Sequence, residues 1–282
     1  MSNIDLHVHS TASDGSYTPS ELVDYAIEKN LSAFALTDHD TCDGISEAIN
    51  YSLKLKSEGK KSVKVIPGIE LSAEYSGEDV HILGLNIRYE DKAFLTELQP
   101  FVDARNARNH LMVSKMNEHG INITEEMVNK RFGDAVITRA HYAILMIEMG
   151  YVSSKEEAFE KYLNKGCPFY IPRHKITPSE AVRLIKSAGG HPVMAHPVLY
   201  SFEDDVLDNL VCRLADEGLE GIEAVYSCNK PEDTVKYTNL AAKYNLYLTG
   251  GSDFHGTAKP GLELGTGYGD LAVPESFLKN IL

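Results

Sequence analysis

The chain has 282 residues, 43% hydrophobic and 24% charged, and 41 acidic against 27 basic side chains leave a formal net charge of −14. That composition suits one large globular domain, or a domain carrying a sizeable insertion. An acidic balance with no Lys/Arg-rich block argues against affinity for long duplex DNA, yet bound cations could still bring a small phosphorylated ligand to it.

The first element is an apolar run at residues 4–8, which predicts a strand. It carries His7 and His9, and residues two apart on a strand share one face. Thr18-Pro19-Ser20-Glu21 has the form of a capped helix start, so a helix is expected over 19–29. An apolar run at 32–36 follows and ends in Thr37-Asp38-His39-Asp40. Further strands are expected at 63–67, 70–73 and 81–87. Residues 99–169 read differently, with helical stretches at 102–119 and 155–163 and no strand, which predicts an inserted subdomain able to act as a substrate cap. Thr177-Pro178-Ser179-Glu180 repeats the helix-start tetrapeptide, with a helix to 187 and a strand at 192–195 before His196-Pro197. Strands at 221–226 and 246–249 flank a helix at 232–244, and Gly250-Gly251-Ser252-Asp253-Phe254-His255 closes the series. Alternating helices and strands predict an α/β fold with a mostly parallel sheet, and several polar residues fall at strand ends, where such folds place their sites.

No run of about 18 apolar residues exists, so no membrane span is expected. The residues before Ile4 do not have the charged-then-apolar pattern of a leader, so a secretory signal is not expected. Cys42, Cys167, Cys212 and Cys228 are scattered, which argues against a disulfide framework and suits a reducing cytoplasm.

Nine residues near the strand ends form a set: His7, His9, Asp14, His39, Glu70, His81, His196, Asp253 and His255. Six of the eleven histidines belong to it. Three carboxylates and six imidazoles in one buried pocket would be costly unless cations neutralise them. Histidine and carboxylate without cysteine favour zinc, manganese or iron with open coordination positions over a structural zinc site. His191 is read as structural.

Asp5-Leu-His-Val-His9, Ser13-Asp14-Gly15, Thr37-Asp38-His39, Pro67-Gly68-Ile69-Glu70, Ala195-His196-Pro197 and Ser252-Asp253-Phe254-His255 resemble, in order and spacing, the motifs of the polymerase and histidinol phosphatase (PHP) family. The resemblance implies a distorted (β/α)7 barrel over residues 1–98 and 170–282, with two or three divalent metal ions and phosphoester hydrolysis. It implies one ion on His7, His9, Glu70 and Asp253, a second on Glu70, His81 and His196, and a third on Asp14, His39 and His255. Asp38 and Asp40 would orient ligands from behind. Asp5 reads either as such a support or as a polar strand start.

Within the insertion, Thr138-Arg139-Ala140-His141, Gly150-Tyr-Val-Ser-Ser and Lys161-Tyr-Leu-Asn-Lys-Gly166 resemble PHP phosphatases acting on nucleoside 3′,5′-bisphosphates and on 5′ ends of short RNA. Ala140 departs from the proline common in relatives. Arg139 is the favoured contact for a second phosphate, since a guanidinium binds phosphate as a fork. Lys165 and Arg173 read equally as phosphate contacts or solvated cations, and His141 as a phosphate contact or a packed helix residue. The expected enzyme is a metal-dependent phosphatase or phosphodiesterase removing a 3′-phosphate from nucleoside 3′,5′-bisphosphates, with short RNA or DNA oligonucleotides as further substrates. No Ser or Cys nucleophile is signposted. The alternatives are a histidinol-phosphate phosphatase and a non-catalytic metal- or nucleotide-binding module.

Overall fold

The computed structural model describes residues 3–282. Its strands are β1 (Asn3–Val8), β2 (Leu31–Leu36), β3 (Lys64–Tyr75), β4 (Glu78–Leu85), β5 (His191–Met194), β6 (Gly221–Tyr226), β7 (Tyr247–Gly251) and β8 (Val273–Pro274). The helices are α1 (Pro19–Glu28), α2 (Ile45–Ser57), α3 (Lys92–Glu118), α4 (Glu125–Phe132), α5 (Arg139–Glu148), α6 (Lys155–Ala158), α7 (Pro178–Ser187), α8 (Asp204–Asp216) and α9 (Pro231–Lys243). Two compact units emerge, Met1–Leu98 with Ile176–Leu282, and Gln99–Lys175. Among the described residues, no helix is long and apolar enough to cross a membrane.

The first unit holds an eight-stranded sheet in the order β7-β6-β5-β4-β3-β2-β1-β8. It curls until the end of β1 meets the turn after β7: Val8 bridges Phe254, and the His9 N–H donates to the Phe254 carbonyl at 2.9 Å. The result is a nearly closed α/β barrel. Ile4, Leu6, Ala33, Ala35, Ile66, Leu83, Leu85 and Val193 pack together at its core.

Both Thr-Pro-Ser-Glu tetrapeptides start helices as their chemistry requires. Thr18 accepts the Glu21 N–H at 3.2 Å while Glu21 accepts the Thr18 N–H at 2.8 Å, and Thr177 and Glu180 repeat the exchange.

Two expectations need correction. The strands expected at 63–67 and 70–73 are one strand, β3. Pro67-Gly68 looks like a break, but Pro67 stays in register with Leu36, and a Cβ on Gly68 would lie 2.8 Å from the Thr37 side chain. The glycine thus serves close packing rather than a turn. The sheet is also less parallel than alternation suggests, because β4 runs antiparallel to both β3 and β5.

Two irregular steps matter for the site. From Asp5↔Phe34 to Val8↔Leu36, β1 advances three residues against two in β2. From Glu223↔Thr249 to Val225↔Gly250, β6 advances two against one in β7. Such extra residues break the in–out alternation and re-aim side chains. One falls at His7 and the other at Glu223.

The second unit is helical. Met112, Met116, Ile123, Val128, Tyr142, Leu163 and Phe169 form its own core. The helix expected over 155–163 is α6 continued by a π-helix, Phe159–Leu163.

Candidate metal centre

Each polar residue of the set reaches the barrel's first unit from a different local device. Glu70 and His81 sit inside β3 and β4, opposite Leu83 and Ser72 respectively, rather than beyond a strand end. Asp14 comes from a tight turn in which the Ser13 and Gly15 N–H groups donate to the Ser10 carbonyl at 3.1 and 2.9 Å. Only glycine fits at position 15, because a Cβ there would lie 2.3 Å from the His9 carbonyl oxygen. His196 and Asp253 follow β5 and β7 with φ of +24° and +57°, conformations that side-chain-bearing residues hold only under tertiary constraint.

Glu70 lies at the centre. Its Oε1 is 2.8 Å from His81 Nδ1, 3.0 Å from His196 Nε2 and 3.4 Å from His7 Nε2. Its Oε2 is 2.9 Å from His39 Nδ1 and 3.2 Å from His9 Nε2. On one side, Asp253 Oδ1 lies 3.6, 3.4 and 3.3 Å from nitrogens of His7, His9 and His255. On another, Asp14 Oδ1 lies 3.2 Å from His255 Nε2 and 3.8 Å from His39 Nε2. Four overlapping groups therefore bring ligand atoms within 4.8 Å of one another: His9-Asp14-His39-His255, His7-Glu70-His196, His7-His9-Asp253 and His39-Glu70-His81.

These donors fit divalent ions. His7 Nε2, His9 Nε2, His39 Nδ1, His196 Nδ1 and Glu70 Oε2 are buried with no hydrogen-bond partner, an arrangement that is costly without a ligand. The electrostatics make the same demand. Burial pushes the carboxyls of Asp14, Glu70 and Asp253 up, yet surrounding positive charge overrides it and holds all three well below the usual range. Burial likewise opposes charging His9, but the neighbouring Asp253 and Glu70 carboxylates lift it to about 9. His255 goes the other way: burial, with Lys259 and His9 nearby, pushes it down to about 3 and keeps it neutral, as a metal ligand must be. A pocket of this kind attracts positive charge, whether protons or metal ions.

The supporting residues are equally placed. Asp38 accepts the Ser10 N–H at 2.8 Å, the Ser10 hydroxyl at 2.7 Å and the Ser13 hydroxyl, and Ser13 Oγ lies 3.5 Å from His9 Nδ1. Asp40 accepts the Ser72 N–H at 2.8 Å, tying β2's end to β3. Asp5 accepts the N–H groups of Ser252 and Gly265, both at 2.8 Å, so it joins β1 to the turn after β7.

Three residues have no site role in the sequence reading. Glu223, fully buried on β6, accepts from His7 Nδ1 at 3.1 and 3.3 Å and from the His196 N–H at 2.8 Å. It thereby turns His7 Nε2 toward Glu70 and Asp253. Tyr226 donates its hydroxyl to Asp253 Oδ2 at 2.8 Å, and Lys259 donates to the same oxygen. A lone carboxylate inside the apolar run Gly-Ile-Glu-Ala-Val-Tyr was the signal available for Glu223.

The second unit holds the other expected residues. The Arg139 guanidinium lies 5.6 Å from the Tyr170 ring centroid and donates to the Leu163 carbonyl at 3.4 Å. His141 Nδ1 accepts the Thr138 N–H at 2.9 Å, and its ring packs on Phe132 with centroids 4.3 Å apart, which gives it a role in starting α5. Lys165 is exposed and Arg173 half-buried.

Comparison with known proteins agrees with this geometry. The family model for the PHP domain matches residues 5–167. The 5′-3′ exoribonuclease Rnm of Escherichia coli (strain K12) is 33% identical over 261 residues, covering 93% of this chain and 87% of that protein. The 3′,5′-nucleoside bisphosphate phosphatase of Chromobacterium violaceum is 31% identical over 266 residues, covering 94% and 91%. A crystal structure from Bifidobacterium adolescentis, provisionally described as a metal-dependent phosphoesterase, is similar at a TM-score of 0.86 and 28% identity, covering 100% of this chain and 96% of that one.

Proposed function

Because the chain belongs to the PHP family of metal-dependent phosphoesterases, we propose that it removes the 3′-phosphate from nucleoside 3′,5′-bisphosphates. The observation that carries this reading is the buried set of donors converging on both oxygens of Glu70. Short 5′-phosphorylated oligonucleotides are a further substrate class, supported by similarity to a protein named as an exoribonuclease.

In this reading His7, His9, Glu70 and Asp253 hold one ion. Glu70, His81 and His196 hold a second, and Asp14, His39 and His255 a third. Manganese, zinc and iron all suit these donors. When bound, divalent ions acidify water and stabilise the charge that develops on a phosphoryl group.

The chain's own residues supply the geometry. Glu70 turns Oε1 toward His81 and His196 and Oε2 toward His39 and His9, and would thereby help to hold two ions. Glu223 fixes the His7 tautomer by accepting from Nδ1, which leaves Nε2 free to ligate. Lys259 and Tyr226 occupy Asp253 Oδ2 and leave Oδ1 facing the histidines. Arg139 has the fork chemistry that suits the phosphate left unhydrolysed.

The test compares adenosine 3′,5′-bisphosphate with a generic phosphomonoester, using metal-loaded protein. Strong preference for the bisphosphate is expected. Equal turnover of the two would overturn the substrate assignment while leaving phosphoester hydrolysis intact.

A further inference from the structure

The β4–β5 ladder ends beside two histidines of the metal centre, and a tyrosine hydroxyl stands in it there. From Leu85↔His191 to Ile82↔Met194 the antiparallel strands pair residue against residue. The next pair in that register is His81 with Ala195, the residue before His196. Half of its exchange is direct, since the Ala195 N–H donates to the His81 carbonyl at 3.1 Å. The other half is not. The His81 N–H donates to the Tyr200 hydroxyl at 3.1 Å, and that hydroxyl donates to the Ala195 carbonyl at 2.6 Å. Two steps thus span a gap that a single N–H···O bond of about 2.9 Å would otherwise close.

The hydroxyl is held in place from behind. The turn Pro197–Leu199 brings Tyr200 back to β4, with the Tyr200 N–H donating to the Pro197 carbonyl at 3.2 Å. The Tyr200 ring packs edge-on against Phe202 with centroids 5.8 Å apart, and Phe202 packs in the same way on Tyr75 of β3, also at 5.8 Å. The Arg213 guanidinium of α8 lies 5.0 Å from the Tyr75 ring centroid and closes the file. Phenylalanine at position 200 would fill the same space, but only a hydroxyl can bridge the two strands. Those strands deliver imidazoles to a single atom. His81 Nδ1 and His196 Nε2 lie 2.8 and 3.0 Å from Glu70 Oε1, with ring centroids 5.1 Å apart.

We propose that Tyr200 is a positioning residue for the ion assigned to Glu70, His81 and His196, its hydroxyl setting the spacing of the two imidazoles. The role rests on that ion assignment. Without the hydroxyl, the His81 N–H and the Ala195 carbonyl lose their bridge, and backbone groups held away from water are costly to leave unpaired. The direct bond open to them draws β4 toward β5 and shifts His81 against His196.

The experiment uses full-length protein loaded with manganese or cobalt(II) and compares Tyr200→Phe with His81→Asn. His81→Asn removes a ligand and so defines the signature of losing this ion: one ion fewer after dialysis, and loss of the cobalt absorption bands that belong to it. Tyr200→Phe is expected to hold the same ion about 10- to 100-fold more weakly, the range for a partner behind a ligand, and to lose the same bands. The double variant should retain as many ions as His81→Asn alone, because both changes act on one site.

A merely structural hydroxyl would lower the melting temperature of chelated protein and leave ion number, affinity and cobalt spectrum as in wild type. That result would overturn the positioning role. Should Tyr200→Phe fail to fold, Phe202→Leu keeps the hydroxyl but removes its backing. Loss of the same bands then supports the role, and a wild-type spectrum and affinity overturns it. If His81→Asn itself retains every ion, the ion assignment falls and the role of Tyr200 with it. If His81→Asn loses its ion while Tyr200→Phe matches wild type, only the role of Tyr200 falls.

Discussion

Replacing Glu223 by glutamine tests how much of the metal centre depends on a residue that contacts no ion. The carboxylate is fully buried and accepts from two places, the His7 ring through both oxygens at 3.1 and 3.3 Å and the His196 N–H at 2.8 Å. Glutamine keeps the shape but has one acceptor oxygen, and its NH2 must face one of those two donors. At least one hydrogen bond to a charged acceptor is lost, worth about 1.5–3 kcal/mol. That corresponds to about a 10- to 100-fold weaker hold on the ion served by His7 and His196, the usual range for removing a partner behind a ligand. The strain at His196, with φ of +24°, adds to the effect because its N–H anchor weakens at the same time. Chelator competition with manganese or zinc, together with the number of ions retained after dialysis, measures the loss. Glu223→Ala should lose more. Unchanged ion number and affinity within about twofold for Glu223→Gln would refute the claim that this carboxylate sets the His7 tautomer.

Removing the ions with excess chelator should lower the melting temperature and restoring them should recover it. At a thousandfold excess of ion over its dissociation constant the linkage amounts to about 4 kcal/mol, and an unaltered unfolding curve would show that the donors hold no ion. Gly251→Ala should destabilise the barrel by about 1–3 kcal/mol and lower activity, since the new Cβ would lie 2.4 Å from His7 Cβ. Denaturant unfolding and turnover measured together check it, and wild-type values for both would count against the close contact of β1 and β7. Cys42 is buried, and burial with the nearby Asp43 and Asp38 charges pushes its thiol up to about 12. Iodoacetamide near pH 8 should therefore leave Cys42 intact while alkylating the exposed Cys228, as peptide mass spectrometry would show.

What the sequence disclosed depended on how local each signal was. The capped starts of α1 and α7 were legible because the cap, the proline and the glutamate sit within four residues. β6 was legible as a short apolar run between helices. α2 and α8 were not, because Gly44 and Glu203 make no side-chain cap and leave no start signal. The nine polar residues were legible as a set through their motif order, but their arrangement around Glu70 was not. Glu223 was invisible for a related reason: its partner His7 is 216 positions away, and one carboxylate in a strand says nothing by itself. Arg105 and Arg108 fall in a charged helical stretch, and nothing in the sequence signals that both are buried.

The junction of β1 with the turn after β7 has a consequence for how the protein matures. Asp5 and Ser252 are 247 positions apart, and the histidines of β1 face donors that lie just beyond Ser252. As the chain is synthesised, β1 can pair early with β2, while its imidazoles wait for a segment nearly 250 positions downstream. An ion held by His7, His9 and Asp253 would then tie β1 to the turn after β7, a reversible staple across a very long loop. Half-made chains cannot offer that grip, so such an ion would be held by all three residues only after the segment around Asp253 has been made.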